Sequence, residues 1–472
     1  MTLAEQVGRQ ARTLIAARLG LDFPENRQRD LEQGFLRAFC ASSVAQPELY
    51  LNWLTTLPDG SPEWWRLAGH LTVGETYFFR DRSCFEALEQ HVLPSIIASR
   101  RTKGNLRLRV WSAGCATGEE AYSLAILMDR LLPDRSDWAV TILATDINPD
   151  ALEKAQRAIY REWALRETPE RVRNLYFRHR GAEAFEVHPK IRALVTFAPL
   201  NLAGDGYPSL VTNTAAMDLI LCRNVLMYFT CDAQQATAAR LQQSLVTGGL
   251  LAVSPVEVSV NLFQSLVPVS FPAATFYRKE SQPALSSQPI WQHAWQPTQQ
   301  VGTELFDLPV ASFHFHATPA VGPEPATTPA PHEQEAESLP PSPTDLQRAR
   351  VLADRGNLED ALRLCESVLA RDRLDHEAYF LLAAIAQERG EIPAALGALR
   401  RVVYLAPNFA AAHFLLGGIL LRQGQHKQGV RSMETVVRLL NPLPCDEEMP
   451  GSDGLTAGRL LETARAYLEI RR

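Results

Sequence analysis

The sequence predicts an α/β region built on a mostly parallel sheet, with a helical segment in front of it and an all-α repeat domain behind it. Three observations carry this reading. Between residues 76 and 280, short apolar runs alternate with longer helical patterns, as expected of parallel strands joined by crossover helices. From residue 344 onward, small residues recur at intervals of 34. A proline-rich stretch, 281–343, lies between the two regions.

Residues 1–75 read as helices. Leu31, Phe35 and Phe39 share one face, as do Tyr50, Trp53, Leu54 and Leu57, and then Trp64, Leu67, Ala68 and Leu71. A packed helical bundle accounts for all of them. In the next region, LRLRVWSAG is a strand running into a turn, GEEAYSLAILMDRLL a helix and AVTILATDI a second strand. MDLILCRN and GGLLAVSP are two more strands. Ligands of such a sheet bind beyond the carboxyl ends of its strands.

Residues 281–343 hold 12 of the 31 prolines, with Gln, Ser, Thr and Ala between them. Such a segment buries too little apolar surface to offset its ordering entropy, so a disordered, partly extended linker is expected. Its Trp291/Trp295 and Phe313/Phe315 pairs are expected to touch a domain surface weakly. In the last region, residues 344–472, Gly356, Gly390 and Gly424 stand 34 residues apart, as do Ala361, Ala395 and Gly429. That is the period of a tetratricopeptide (TPR) helix pair, in which small residues let two helices cross closely. Three repeats are expected, near 344–377, 378–411 and 412–445, followed by an amphipathic capping helix over 454–470. Such repeats bind a protein or peptide, which the sequence does not name.

Composition narrows the functions. Charged residues make up 21% and the net charge is −6, which argues against a general nucleic-acid binder. No run of about 18 apolar residues is present for a membrane span, and no apolar signal core follows Met1. The seven cysteines (40, 84, 115, 222, 231, 365 and 445) form no CxxC pair and no Cys/His cluster with zinc spacing. Free thiols, a cytoplasmic location and no metal site are expected.

The chemistry concentrates at two strand ends. Ser112-Ala113-Gly114-Cys115-Ala116-Thr117-Gly118-Glu119-Glu120 offers small residues where a backbone approaches a ligand, with a helix just behind. It is neither GxGxxG nor a P-loop, so phosphate binding is poorly supported. Asp146 closes the second strand, placed either to accept bonds from ribose hydroxyls or to cap the helix before Pro149. Taken together, the two strand ends favour a nucleoside.

At this point the residues carry a resemblance. Thr72-Val73-Gly74-Glu75-Thr76-Tyr77-Phe78-Phe79-Arg80, WSAGCATGEEAYSLA from Trp111, ATDIN from Ala144, AIYR from Ala158, FAPLNL from Phe197 and LILCRNVLMYF from Leu219 resemble the CheR family of chemoreceptor glutamate methyltransferases. The match runs in order over roughly residues 25–280. With linker and repeats, the architecture resembles that of a family member from a surface-sensing chemosensory system.

The resemblance implies a Rossmann-like S-adenosylmethionine methyltransferase with a small β-subdomain at about 160–197. It implies that Gly74, Thr76 and Arg80 line the S-adenosylmethionine pocket, with Gly74 standing where most relatives carry Asn. Glu120, or its neighbour Glu119, would contact the methionine amino group and Asp146 the ribose. Asn201 and Leu202 would flank the adenine, and Arg223 and Asn224 would close the site. Arg80 and Tyr228 would face the substrate glutamate of a methyl-accepting chemoreceptor. Plainer readings stay open: Phe78, Phe79 and Phe229 as core, Arg223 as a structural ion pair, Tyr228 as an ordinary half-buried phenol. The loop around Gly181–Phe185 is about three residues shorter than in relatives that grip a receptor's C-terminal peptide, so no dependence on that tether is expected. Ser254-Pro255-Val256-Glu257 stands where relatives usually show GHSE. The rival reading for the whole chain is a catalytically silent TPR scaffold that still binds S-adenosylmethionine. A nicotinamide oxidoreductase would need a GxGxxG turn and a proton-transfer residue, and neither is evident.

Overall fold

Four helices open the chain: α1 (Glu5–Leu19), α2 (Gln28–Ala41), α3 (Pro47–Thr56) and α4 (Pro62–Leu71). Proline at the first turn starts α3 and α4, where its missing N–H costs nothing. The apolar faces read from the sequence are the buried ones: Leu31, Phe35, Tyr50, Leu54, Leu67 and Ala68 are fully enclosed, whereas Trp53 is exposed. Helices continue further than the alternating pattern suggests. The segments α5 (Arg82–Ala87) and α6 (Leu93–Thr102), joined by a wide turn over Leu88–Val92, lead into the first strand. This computed structural model describes residues 3–58, 61–181, 183–271, 274–280, 344–354, 356–445, 447–450 and 456–469. The expected linker and its two aromatic pairs lie outside them.

The sheet is built from β1 (Arg107–Ala113), β2 (Ala139–Asp146), β6 (Val195–Pro199), β7 (Met217–Leu221), β8 (Leu245–Ala252), β9 (Val267–Phe271) and β10 (Ala274–Arg278). The order is β6-β2-β1-β7-β8-β10-β9; the first five strands run parallel and β10 pairs antiparallel with both neighbours. All of β1 is buried, as expected of a central parallel strand covered on both faces. Helices α7 (Glu119–Leu131), α8 (Pro149–Arg157) and α11 (Cys231–Ser244) make crossovers. A separate three-stranded sheet holds β3 (Ile159–Arg161), β4 (Phe177–His179) and β5 (Ala184–Val187), flanked by the short helices α9 (Glu170–Tyr176) and α10 (Pro189–Arg192). The run VTFAP, read as part of this subdomain, belongs instead to the large sheet, where Phe197 pairs with Ala144. There it forms the edge strand, paired parallel with β2 from Ile142 opposite Val195 to Asp146 opposite Pro199.

After residue 343 the chain is all helix: α12 (Asp345–Asp354), α13 (Leu358–Arg371), α14 (His376–Glu388), α15 (Ile392–Leu405), α16 (Ala410–Arg422), α17 (His426–Leu440) and α18 (Ala457–Glu469). They form three antiparallel pairs and a final helix. Gly356, Gly390 and Gly424 sit between the helices of each pair with φ of +80°, +76° and +75°, a left-handed turn that glycine makes without steric cost. The repeat helices pack against the catalytic region. Leu210, Val211 and Ala215 of the catalytic region share one apolar cluster with α14 and α16.

Candidate active site

The turn after β1 is shaped by backbone demands. Gly114 has φ +82°, and a Cβ there would lie 2.4 Å from Val225 Cγ2, so no other residue fits. Asp146, at the end of β2, ties the neighbouring strand ends together. Its Oδ2 accepts from Ala116 N and its Oδ1 from Asn148 N, each at 2.8 Å. The helix cap that competed for Asp146 is Asn148, whose side chain accepts from Ala151 N at 3.1 Å. Burial raises the Asp146 carboxyl above its ordinary range, and the backbone donors oppose that.

The two glutamates that open α7 part company. Glu119 turns inward and accepts from the Thr117 hydroxyl at 2.7 Å, and burial raises its carboxyl to about 6. Glu120 faces the cavity, accepting from Ser112 Oγ at 2.8 Å and from Arg223 at 3.2 Å. Arg223 has a side chain only 2% exposed and pairs with Asp81 at 2.8 Å. It also donates to the Arg80 carbonyl at 3.0 Å. The structural-ion-pair reading of Arg223 therefore holds: it clamps the 80–81 segment to α7 while edging the cavity. Arg80 itself donates through Nη1 to the Glu75 carbonyl at 2.7 Å.

The turn after β7 depends on a residue whose role the sequence reading missed. Glu257 is buried, and its carboxylate accepts from Asn224 N (2.8 Å), Val225 N (2.7 Å), Met227 N (3.3 Å) and Ser254 N (3.1 Å). Asn224 adopts φ +58° within this turn. A signal was present, since Ser254-Pro255-Val256-Glu257 is a capping-box pattern with proline at the first position. The N-terminal segment also reaches the site. Asp22 N donates to the Tyr228 carbonyl at 2.8 Å, and the Arg27 guanidinium lies 5.1 Å from the Tyr228 ring centre. These helices read as a plain bundle in the sequence, because no local pattern marks a loop that docks on a distant turn.

Around these elements lies a cavity of about 160 Å³. All ten sequence-predicted residues line it: Gly74, Thr76, Arg80, Glu120, Asp146, Asn201, Leu202, Arg223, Asn224 and Tyr228. Leu19, Leu21, Phe23 and Arg27 line it too, and so does Phe229, which is also buried in the core as expected. Phe78 is fully buried and Phe79 packs against the core, as expected. Asn201 is committed to the fold, donating to the Arg18 carbonyl at 3.2 Å and accepting from Ala203 N at 3.0 Å.

Residues 74–265 match the CheR methyltransferase, SAM binding domain. A chemotaxis protein methyltransferase of Listeria monocytogenes is 36% identical over 191 residues, 40% of this chain and 68% of that protein. The chain belongs to the CheR methyltransferase family. A second CheR-type relative, chemotaxis protein methyltransferase 1 of Pseudomonas aeruginosa, is 36% identical over 41% of this chain and 69% of its own. The probable biofilm formation methyltransferase WspC of the same species is 25% identical over 91% of this chain and 98% of that protein. The matched domain is a SAM-binding one, so the cofactor is S-adenosylmethionine. The CheR cavity fits that group chemically. Carboxylates Glu120 and Asp146 suit an ammonium and ribose hydroxyls, and Leu19, Leu21, Leu200 and Leu202 suit an adenine ring.

Proposed function

We propose that this enzyme methylates glutamate side chains of a chemoreceptor, in a chemotaxis-like or surface-sensing pathway, and works in the cytoplasm. The observation that carries the reading is the gathering of the ten residues around one cavity with Arg80 and Tyr228 on its lining. In this reading Glu120 takes the methionine ammonium, Asp146 the ribose, and Asn201-Leu202 the adenine. Gly74, Thr76, Arg223 and Asn224 complete the wall. When bound, S-adenosylmethionine supplies a methyl group on a sulfonium centre. A carboxylate acceptor is already ionised at neutral pH, so this chain needs no general base. The described cavity lining holds no His, Cys or Lys. Its residues serve instead to align and to exclude water. Arg80 orients the acceptor carboxylate, and Tyr228 sets its approach.

Residues 344–472 are read as TPR repeats that serve a protein or peptide partner. Arg180 N donates to the Ala184 carbonyl at 2.7 Å, carrying the β4–β5 pairing one step beyond the strands. That supports an enzyme with no need of a receptor's C-terminal peptide. Among the described residues no helix is long and apolar enough to cross a membrane. The decisive experiment is transfer of labelled methyl groups to candidate receptors, scored by methanol release in alkali. Esters release it and N-methyl groups do not, so an alkali-stable product overturns the reading.

A further inference from the structure

In the second and third repeat pairs the first helix, α14 or α16, is enclosed on every side, whereas α12 of the first pair buries only Ala349 and Ala353. Ala383 to Glu388 of α14 are six consecutive buried residues, and Phe414 to Leu421 of α16 are eight. At 3.6 residues per turn, four consecutive positions already circle a helix. The second helices bury only a stripe: Leu358, Ala361 and Cys365 on α13, and Gly429, Met433, Val436 and Leu440 on α17. Neighbouring repeat helices cover one side of α14 and α16. The catalytic region covers the other, through Leu210, Val211 and Ala215.

A charged lock sits in the same interface. Glu388 ends α14 with its side chain 2% exposed, 3.1 Å from Arg107 Nη1 and 3.8 Å from Arg109 Nη2. Arg109 is wholly buried in β1, and its Nη2 also donates to the Asn213 carbonyl (3.0 Å), Asn213 Oδ1 (2.9 Å) and the Ala215 carbonyl (3.1 Å). The segment held this way runs back to the cavity. Tyr207 Oη donates to the Leu202 carbonyl at 2.8 Å, and Thr237 Oγ1 to the same oxygen at 3.0 Å.

We propose that the inner face of the repeat domain takes this chain's own segment 206–216 as its ligand, with Glu388 a positioning residue that, through Arg109, holds the Leu200–Leu202 wall of the cofactor cavity. The proposal rests on reading Asn201 and Leu202 as cofactor contacts. An outside peptide then reaches that inner face only by displacing 206–216.

Hydrogen exchange on the full-length protein tests the docking without any substitution. Amides of 206–216 and 383–388 are expected to exchange together as one protected unit. Fast exchange of 206–216 beside a protected 383–388 overturns the proposal. The second arm is Glu388→Gln, with the KM for S-adenosylmethionine and kcat measured well below the unfolding midpoint. A rise in KM of about 5- to 10-fold with kcat nearly unchanged is expected, a coupling typical of packed networks. A lowered midpoint with unchanged KM reduces Glu388 to a structural role and overturns its positioning role. If E388Q does not fold, the wild-type exchange result decides. Failure of the wild-type enzyme to bind S-adenosylmethionine in calorimetry would instead sink the functional reading itself.

Discussion

At the carboxyl end of the large sheet, Arg223 is buried between Asp81 and Glu120, yet the cavity it edges stays open. At the amino end, Arg107 and Arg109 are buried as deeply around Glu388, and there the repeat helices close the space. The same chemistry serves two ends. Where carboxylates such as Glu120 and Asp146 keep a face toward the cavity, buried charge prepares a ligand site. Where a neighbouring domain supplies the counter-charge, it fixes a docking geometry. Burying such pairs is rarely a net gain in stability, so each is better read as specifying an arrangement.

The contrast can be broken most sharply at Arg80. If the open end is the reacting end, Arg80→Ala lowers kcat/KM by roughly 10²-fold or more, as loss of a preorganised charge does. Its thermal midpoint should barely move; near-normal turnover would remove Arg80 from the mechanism. Next in size is Glu257→Gln, which turns amide hydrogens toward backbone donors of the 224–227 turn. We expect a loss of about 3 kcal/mol in denaturant unfolding together with weaker cofactor binding. An unchanged dissociation constant would separate that turn from the cofactor.

Glu119 sharpens the comparison by charge that faces neither end. Its carboxyl is raised from 4.5 to about 6 because burial disfavours the ionised form. The unfolded chain therefore loses this proton first as pH rises. Stability falls between pH 4.5 and 6 and this contribution is flat above, a change of about 2 kcal/mol. Glu119→Gln should flatten that slope in urea titrations and leave turnover nearly intact, since the side chain is off the cavity lining. A lost activity would mean the two glutamates share the site. The smallest effect is expected of Gly74→Asn. A Cβ at Gly74 meets nothing within 4 Å, so the amide fits without strain. Cofactor affinity should rise a few-fold, about 1 kcal/mol for one added hydrogen bond; isothermal titration checks it, and a weaker complex would contradict that placement of Gly74.

Much of this was legible in local patterns. Strands β1 and β2 lie where their strand patterns place them, because a central parallel strand is covered on both faces and tolerates buried charge only where a partner meets it, as Glu388 meets Arg107. The glycines every 34 residues stand at the helix turns, because glycine adopts that left-handed backbone without the steric cost a side chain pays. Glu257 was harder: its capping-box spacing is local, but its grip on residues 224–227 spans some 30 positions. Assigning VTFAP to the small subdomain went astray because a short, mostly apolar run looks alike in either sheet, and only pairing with β2 separates them.

By itself, the sequence determined the order of helices and strands, the strand-end motifs and the repeat period, all set by side-chain periodicity and backbone stereochemistry within a few residues. Tertiary structure alone decided the rest. It chose Glu120 over Glu119 for the cavity and Asn148 over Asp146 for the cap, brought Leu19 to Arg27 onto the site, and seated α14 and α16 against residues 210–215. These choices turn on which polar groups find partners once water is excluded, and several of those partners, such as Arg223 for Glu120 and Ala116 for Asp146, lie tens of residues away or more.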